Sequence, residues 1–268
     1  MKYCVPYFRY FKYAKEVDEI IIPFNESLDI IKRFIEEKEI QSRIILEVDD
    51  NDMFSENFND YLPILKNLNG YDSAICFSQY HKEFKNIYLE LRDNKIKFFF
   101  KTFVRDWDTF HGLINVGVSD IYIVENLGFE LNLLGPVAHA SEVSIRVFAY
   151  VCQSSWSESN PIKSFFIRPE DVYLYEPYVD VIEFFGTEKH EQEVMYKVYA
   201  KDKKWFGDLS EIIIGLNMEL DSRCLVAAFA PTRIKCGKKC IKGKPCNICD
   251  RIIELSQTLQ ENDIMITH

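Results

Sequence analysis

The sequence predicts an α/β protein, a TIM-like (β/α)8 barrel followed by a C-terminal cysteine-rich metal-binding module. Eight short apolar runs, rich in β-branched and aromatic residues, favour the barrel. They begin 15 to 29 residues apart, which leaves room for a strand, a helix and their loops in each unit. Most are continuously apolar, as is typical of a parallel sheet covered on both faces. A doubly wound open sheet is the alternative that this pattern leaves open.

The order of these runs predicts how the barrel closes. A closed sheet brings its first strand beside its last, so we expect residues 20–22 to pair with residues 181–184. The runs occupy residues 18–23, 43–48, 72–77, 96–101, 120–124, 144–151, 164–167 and 179–184.

Helices are predicted between and after these runs. Residues 27–38 place apolar side chains on one helical face, and residues 106–116 begin with Asp106, which suits the positive end of a helix dipole. Further helices are expected at 188–200, 208–216 and 250–260, with a strand-like run at 224–229. We assign residues 1–220 to the barrel and residues 221–268 to the appended module.

The N-terminal segment alternates aromatic and basic residues between positions 3 and 15. Aromatic side chains among basic ones can stack on nucleic acid bases. An extra strand or a plug packed under the barrel is the interpretation we favour, with the basic side chains reaching outward to water.

Composition excludes several classes of protein. The 268 residues are 47% hydrophobic, too apolar for general disorder, and no apolar run is long enough to span a bilayer. The start of the chain lacks the apolar core of a secretory signal, so we expect a cytoplasmic protein without membrane contact. The net charge of −10 argues against a surface that coats nucleic acid throughout.

Four of the eight cysteines crowd into a C-x3-C-x5-C-x2-C array. Thiolates are soft ligands, and four of them suit Zn²⁺ or an iron–sulfur cluster. Without an export signal, a disulfide framework is disfavoured. The spacing predicts one metal centre and leaves the choice of metal open. Its ligands would be Cys236, Cys240, Cys246 and Cys249.

The same segment is strongly basic. Residues 233–251 carry seven basic residues against Asp250, a net charge of +6, so the rest of the chain carries −16. Such a patch can grip RNA phosphates, or it can compensate the charge of the thiolates. The predicted nucleic-acid contacts are Lys238, Lys239, Lys242 and Lys244.

Barrel enzymes place their chemistry at the C-terminal ends of the strands. Cys152 follows an apolar strand there and is a candidate nucleophile, redox thiol or cluster ligand, with a buried core residue as the alternative. Glu125 is a candidate substrate-binding or acid–base group, and Arg168 a further catalytic candidate. Other polar residues at such positions are Asn25, Glu47, Asp49, Asp50, Gln79, Lys101, Arg105 and Gln153.

Two segments resemble a known family. Residues 117–128 (GVSDIYIVENLG) and 165–186, with Arg-Pro-Glu-Asp at 168–171 and Val-Asp at 179–180, are similar to segments of the collagenase-like peptidase family, peptidase family U-32. The resemblance covers about the middle third of the chain. It implies a TIM-like barrel, a cysteine-bound [4Fe–4S] cluster, and oxygen-independent hydroxylation of tRNA, rRNA or quinone precursors.

These observations together predict a U-32-like barrel enzyme with a four-cysteine iron–sulfur centre, or zinc in its place. The predicted reaction is redox or hydroxylation chemistry on RNA or a small aromatic substrate. Two alternatives remain. One is a non-catalytic metal-knuckle protein that binds RNA or a protein assembly, and the other is a peptidase with Cys152 as its nucleophile.

Overall fold

Eight parallel strands close into a barrel in chain order, and β8 returns to pair with β1. This confirms the predicted α/β barrel and excludes the open sheet. The computed structural model describes residues 1–8, 11–24, 42–54, 72–104, 106–123, 130–148, 166–184, 188–214, 216, 219–236, 246–262 and 264. The strands are β1 Lys2–Pro6, β2 Glu19–Pro23, β3 Arg43–Val48, β4 Ser73–Phe77, β5 Lys97–Val104, β6 Asp120–Ile123, β7 Ser144–Phe148 and β8 Val181–Glu183.

The closing strand differs from the sequence prediction. Cys4 of β1 pairs with both Glu19 of β2 and Glu183 of β8, so β1 separates the two runs that we expected to pair. That expectation is wrong. The N-terminal segment forms a strand because the three central residues of β1 are buried on both faces of the sheet, although charged and aromatic residues flank them.

The predicted strand at residues 164–167 is also wrong where the structure describes it. Phe166 and Ile167 are buried but lie outside any strand, and the chain enters a 3₁₀ turn at Pro169–Asp171. Phe166 instead stacks on Phe229, with ring centroids 5.0 Å apart. Its apolar character therefore serves packing outside the sheet.

Helices cover the outside of the barrel. The helix predicted at 106–116 is confirmed: the Asp106 side chain accepts from the Thr109 amide, and Gly117 ends the helix at φ 93°. Glycine is favoured at this position because an L side chain would be strained at this positive φ and would also lie 2.7 Å from Cδ of Arg92. The helices are α1 Asp50–Met53, α2 Lys85–Asp93, α3 Trp107–Val116, α4 Leu131–Ala140, α5 Val172–Tyr175, α6 Lys189–Tyr196, α7 Phe229–Ile234 and α8 Ile248–Glu261.

The other predicted helices have mixed outcomes. The helix at 188–200 is confirmed as α6, which continues as a π-helix over Lys197–Asp202, and the terminal helix is confirmed as α8. Where the structure describes residues 208–216, the only helical segment is the 3₁₀ turn Leu209–Glu211, and the strand-like run at 224–229 is not a strand. The predicted helix at 27–38 lies outside the described residues.

The chain beyond residue 220 packs against the barrel wall through a buried arginine. Arg168 donates from Nε and Nη2 to the Asp171 carboxylate at 2.6 and 3.0 Å. Its Nη1 donates to the carbonyls of Ser222 at 3.0 Å and Leu225 at 3.3 Å. These bonds attach the segment that leads to the cysteines to the β7–β8 connection. The domain boundary at residue 220 stays a prediction.

In the described part of the chain, no helix is both long and apolar enough to cross a membrane.

Candidate active site

The barrel interior is lined with charged side chains from strands that are not neighbours. Arg43 of β3 bonds Asp120 of β6, and Arg146 of β7 bonds Glu19 of β2. Because these strands are not adjacent in the sheet, the two contacts can form only across the barrel interior. The guanidinium of Arg146 also lies 5.0 Å from the centre of the Phe99 ring. Burying several ions in a core is unfavourable unless each ion has a partner of opposite charge, and here the ion pairs join into one network.

The lower layer of this network lies at the N-terminal ends of the strands. Arg146 donates from Nη1 to Glu19 Oε2 at 2.6 Å and to Asp120 Oδ1 at 3.0 Å. Arg43 donates from Nη2 to Asp120 Oδ2 at 3.0 Å. Burial alone would raise the pKa of Asp120, but the two guanidinium groups hold that pKa below its usual value. All four side chains are buried, so this layer seals the barrel floor.

The upper layer opens toward the C-terminal mouth. Arg146 Nη2 lies 3.3 Å from Glu183 Oε2, to which the Tyr122 hydroxyl also donates. Lys101 Nζ lies 3.9 Å from Glu183 Oε1 and donates a hydrogen bond to Glu47. The side chain of Glu183 is 3% exposed, whereas those of Lys101 and Glu47 are 28% and 30% exposed. The polar network therefore ends in an ammonium and a carboxylate that solvent can reach.

The protonation of this layer follows from its surroundings. Burial alone would lower the pKa of Lys101, but the carboxylates of Glu183 and Glu47 raise it well above its ordinary value. Burial and the nearby Glu183 carboxylate raise the pKa of Tyr122, which therefore remains a hydrogen-bond donor. At neutral pH the mouth presents a permanent ammonium, which can stabilise negative charge on a bound molecule but cannot act as an amine nucleophile.

Two thiols lie inside the barrel beside these charges. Burial raises the pKa of Cys4 and of Cys76, so both stay neutral thiols. A neutral buried thiol is inert as a nucleophile and as a metal ligand. Neither cysteine is therefore a candidate for the chemistry predicted for Cys152.

Comparison with known proteins adds a fold-level likeness only. No protein-family model matches the sequence, and no curated protein matches it either. A solved structure of a U32 peptidase is similar, with a TM-score of 0.43 and 9% sequence identity. The alignment covers 70% of this chain and 93% of that chain. Similarity at this level carries no argument about family or activity, so the function has to be argued from the residues.

The catalytic residues predicted from the sequence are not brought together in the described residues. Glu125 and Cys152 lie outside those residues. Arg168 is fully buried, and it bonds to the Asp171 carboxylate and to the Ser222 carbonyl at the junction with residues 222–225. It shares no contact with Lys101 or Glu183 in the described part of the chain. We assign it a structural role, and its catalytic role stays a prediction.

The predicted metal centre is described only in part. Cys236 is half-buried, Cys246 exposed and Cys249 buried, whereas Cys240 lies outside the described residues. Within the described ranges, no three histidine, cysteine or acidic side chains gather as a metal site. Thiolates suit zinc or an iron–sulfur cluster, but the gathering of these four cysteines into one site stays a prediction. The nucleic-acid contacts also stay a prediction, because Lys238, Lys239, Lys242 and Lys244 lie outside the described residues.

The residues that the sequence analysis missed are polar side chains inside the barrel. Glu47 and Lys101 stood among the polar residues at strand ends, but Glu183, Tyr122 and Arg146 did not. Their signal is a single polar side chain inside an apolar strand, as in SIRVF and VIE. In a strand covered on both faces, such a residue must find a polar partner inside the barrel.

Replacing Cys246 with serine should sharply lower the metal content of the purified protein, because a four-ligand site rarely survives the loss of one thiolate. The measurement is metal per folded chain by elemental analysis, repeated for Cys236, Cys240 and Cys249. Cys76→Ala is the matched control, since this thiol lies inside the barrel. Unchanged metal content in all four single variants would contradict the site.

Proposed function

We propose that this protein is an enzyme of the U-32-like barrel type that acts at the C-terminal mouth of its barrel. The observation that carries the proposal is Lys101, an ammonium between Glu47 and Glu183 that is open to solvent above a sealed interior. Active sites of such barrels lie at this end. Ionisable groups with strongly shifted pKa values in such a position are typical of catalytic sites.

Stability alone does not account for this arrangement. Buried ion pairs are often no more stabilising than apolar side chains of similar volume, and a packed barrel core usually consists of branched apolar residues. This barrel instead holds Arg146, Glu183, Tyr122 and Lys101 in one connected network. A network that ends at an open mouth supports a role in binding or catalysis.

Each member of the upper layer has a distinct proposed role. Lys101 binds the substrate and stabilises negative charge that develops on it. Glu183, held by Arg146 and Tyr122, orients the Lys101 ammonium. Glu47 is partly exposed and can accept a proton or a hydrogen bond from the substrate.

The metal and the reaction class extend this proposal. We propose that Cys236, Cys240, Cys246 and Cys249 hold a [4Fe–4S] cluster, with Zn²⁺ as the alternative, and that the reaction is redox or hydroxylation chemistry. A bound cluster would supply electron transfer, whereas a closed four-thiolate zinc site would be structural. The proposed substrate is RNA or a small aromatic molecule. The depth of Glu183 inside the barrel favours the small molecule.

A second candidate is a non-catalytic protein in which a zinc knuckle serves binding. It is favoured by the attachment of the C-terminal segment to the barrel wall through Arg168 and by the burial of Cys249. A peptidase acting through Cys152 is the third proposal. Metal identity separates the first two, because zinc in place of iron removes the redox chemistry.

Anaerobic purification followed by metal analysis and an ultraviolet–visible spectrum tests the metal. We expect iron with sulfide and a broad visible absorption. The same protein is then incubated with total RNA and, separately, with a panel of phenols and aromatic acids, with water as the oxygen source and a dye that accepts the two electrons released, and mass spectrometry detects products that gain one oxygen atom. Stoichiometric zinc, a colourless protein and no modified product would favour the binding protein.

Reversing Lys238, Lys239, Lys242 and Lys244 to glutamate should abolish RNA binding if these side chains contact phosphates. For the unaltered protein, four such contacts predict that affinity falls roughly 50- to 150-fold when salt rises from about 50 to about 200 mM. Filter binding measures the affinity, with Lys197→Glu/Lys204→Glu as a control for charge reversal outside the patch and metal content as the check on folding. RNA binding that is unchanged by the four reversals, with the metal retained, would show that these lysines do not bind RNA.

A further inference from the structure

A histidine–aspartate pair lies at the rim of the same mouth. His81 Nε2 lies 3.0 Å from Asp50 Oδ1, and Gln79 Nε2 donates a hydrogen bond to Asp50 Oδ2 at 2.6 Å. Asp50 follows β3, whereas Gln79 and His81 follow β4, so adjacent strands bring the three side chains together at their C-terminal ends. This is the face on which barrel enzymes hold their catalytic groups.

The surrounding residues hold the aspartate in place. Asp50 is the first residue of α1, whose start is closed by reciprocal hydrogen bonds between Asp49 and Asp52. Asp49 therefore caps this helix. Asp50 itself takes no part in the cap, and its carboxylate is left for Gln79 and His81.

The imidazole of His81 packs between two aromatic rings, and the backbone of this residue is also anchored. The backbone amide of His81 donates to the Tyr88 hydroxyl at 3.3 Å. The edges of Phe54 and Phe84 pack against the ring, with centroids 5.1 and 6.2 Å away. The ring therefore has a defined orientation, with 18% of the side chain exposed.

This geometry determines which nitrogen can accept a proton. An ionised carboxylate only accepts hydrogen bonds, so Asp50 selects the tautomer with the proton on Nε2 and the lone pair on Nδ1. In the described part of the chain, Nδ1 makes no hydrogen bond. A basic nitrogen backed by a carboxylate and left without a partner is the arrangement of a general base.

We propose that Asp50 and His81 form the proton-transfer pair of this enzyme, with His81 Nδ1 as the base and Asp50 as the positioning residue. The proton leaves an O–H, N–H or activated C–H group of the substrate and forms an imidazolium that Asp50 stabilises. The electron pair remains on the substrate, where the Lys101 ammonium stabilises it. This role rests on the proposed function.

Both groups stand at the same end of the barrel. Glu47, the partner of Lys101, is three residues from Asp50, so at most about 10 Å of extended chain separates the Cα atoms of these two residues. The acceptable substrate would carry its acidic proton at one end and its developing negative charge toward the barrel interior.

A second histidine–aspartate pair provides a matched control within the same chain. His139 Nε2 lies 3.1 Å from Asp180 Oδ2, at the end of α4 and directly before β8, which is the opposite end of the barrel. The His139 side chain is 40% exposed, more than that of His81. The His139 pair has the same contact between Nε2 and a carboxylate but lies away from the mouth, so it controls for the contact itself.

Diethyl pyrocarbonate, which acylates neutral imidazole nitrogens, tests the pair without a known substrate. The full-length protein is treated at neutral pH, and peptide mass spectrometry gives the rate at each histidine. We expect Asp50→Asn to slow the reaction at His81 several-fold and to leave His139 unchanged, whereas Asp180→Asn should leave His81 unchanged. A His81 rate that Asp50→Asn does not lower overturns the pair.

Turnover tests the catalytic role and separates it from the proposed function. His81→Asn should lower kcat by about 10²- to 10⁴-fold, as loss of a general base usually does, whereas His139→Asn should leave it unchanged. Asp50→Asn should lower kcat less and alter the pH profile of kcat, which a purely structural loss would not. Turnover that depends on Lys101 but not on His81 refutes the base and leaves the proposed function standing.

Discussion

Replacing Arg146 with methionine should lower the free energy of unfolding by about 3–5 kcal/mol, because three buried carboxylates lose their common counter-charge. The partners of the guanidinium are Glu19, Asp120 and Glu183, at 2.6 to 3.3 Å. Arg146→Lys should lie between the wild type and Arg146→Met, since one ammonium retains the charge but cannot reach all three. Urea unfolding followed by circular dichroism measures the difference.

The control for this variant is an exposed arginine. Arg92 pairs with Asp93 at 3.1 Å, but the two side chains are 45% and 66% exposed. Arg92→Met should therefore change stability by no more than about 1 kcal/mol. Equal losses for Arg146→Met and Arg92→Met would show that the interior network does not hold the barrel together.

The pH dependence of the same variant has a defined sign. Arg146 and Arg43 hold the pKa of Asp120 below its usual value against the opposing effect of burial. A depressed pKa gives stability that is present above the unfolded value of about 3.9 and is lost as pH falls through the folded pKa. The gap between wild type and Arg146→Met should therefore be full near neutrality and shrink below about pH 4.

Replacing Lys101 with methionine should lower turnover by about 10²- to 10³-fold, as the loss of one preorganised charge at a developing anion usually does. The raised pKa keeps Lys101 charged throughout the neutral range, so this loss should be the same at mildly acidic and mildly alkaline pH. The assay is the oxygen-gain measurement on whichever substrate class responds.

The matched control lies on the same strand. Lys97 begins β5, is 53% exposed and pairs with Asp72 at 2.8 Å. Lys97→Met should keep wild-type turnover. Wild-type activity in Lys101→Met, with the fold verified by circular dichroism, would show that the barrel mouth takes no part in the reaction. The barrel would then keep only a binding role.

The candidate site was only partly predictable. Glu47 and Lys101 were identifiable as polar residues at strand ends, because the apolar pattern marks where β3 and β5 end. The contact of Lys101 with Glu183 was not predictable, since it joins residues of β5 and β8 across the barrel. His81 carried no signal, because its partner Asp50 is 31 residues away on another strand connection.

The sequence by itself determined the class of fold and several local structures. The spacing of apolar runs gave the seven strands β2 to β8, and Asp106 marked the start of α3, because strand burial and helix capping depend on residues close in the chain. Only the tertiary structure decided that Lys2–Pro6 closes the barrel and that Arg146 meets Glu19, 127 residues away. The physical reason is that closure and cross-barrel ion pairs depend on the relative stagger of distant strands, which no local pattern of residues records.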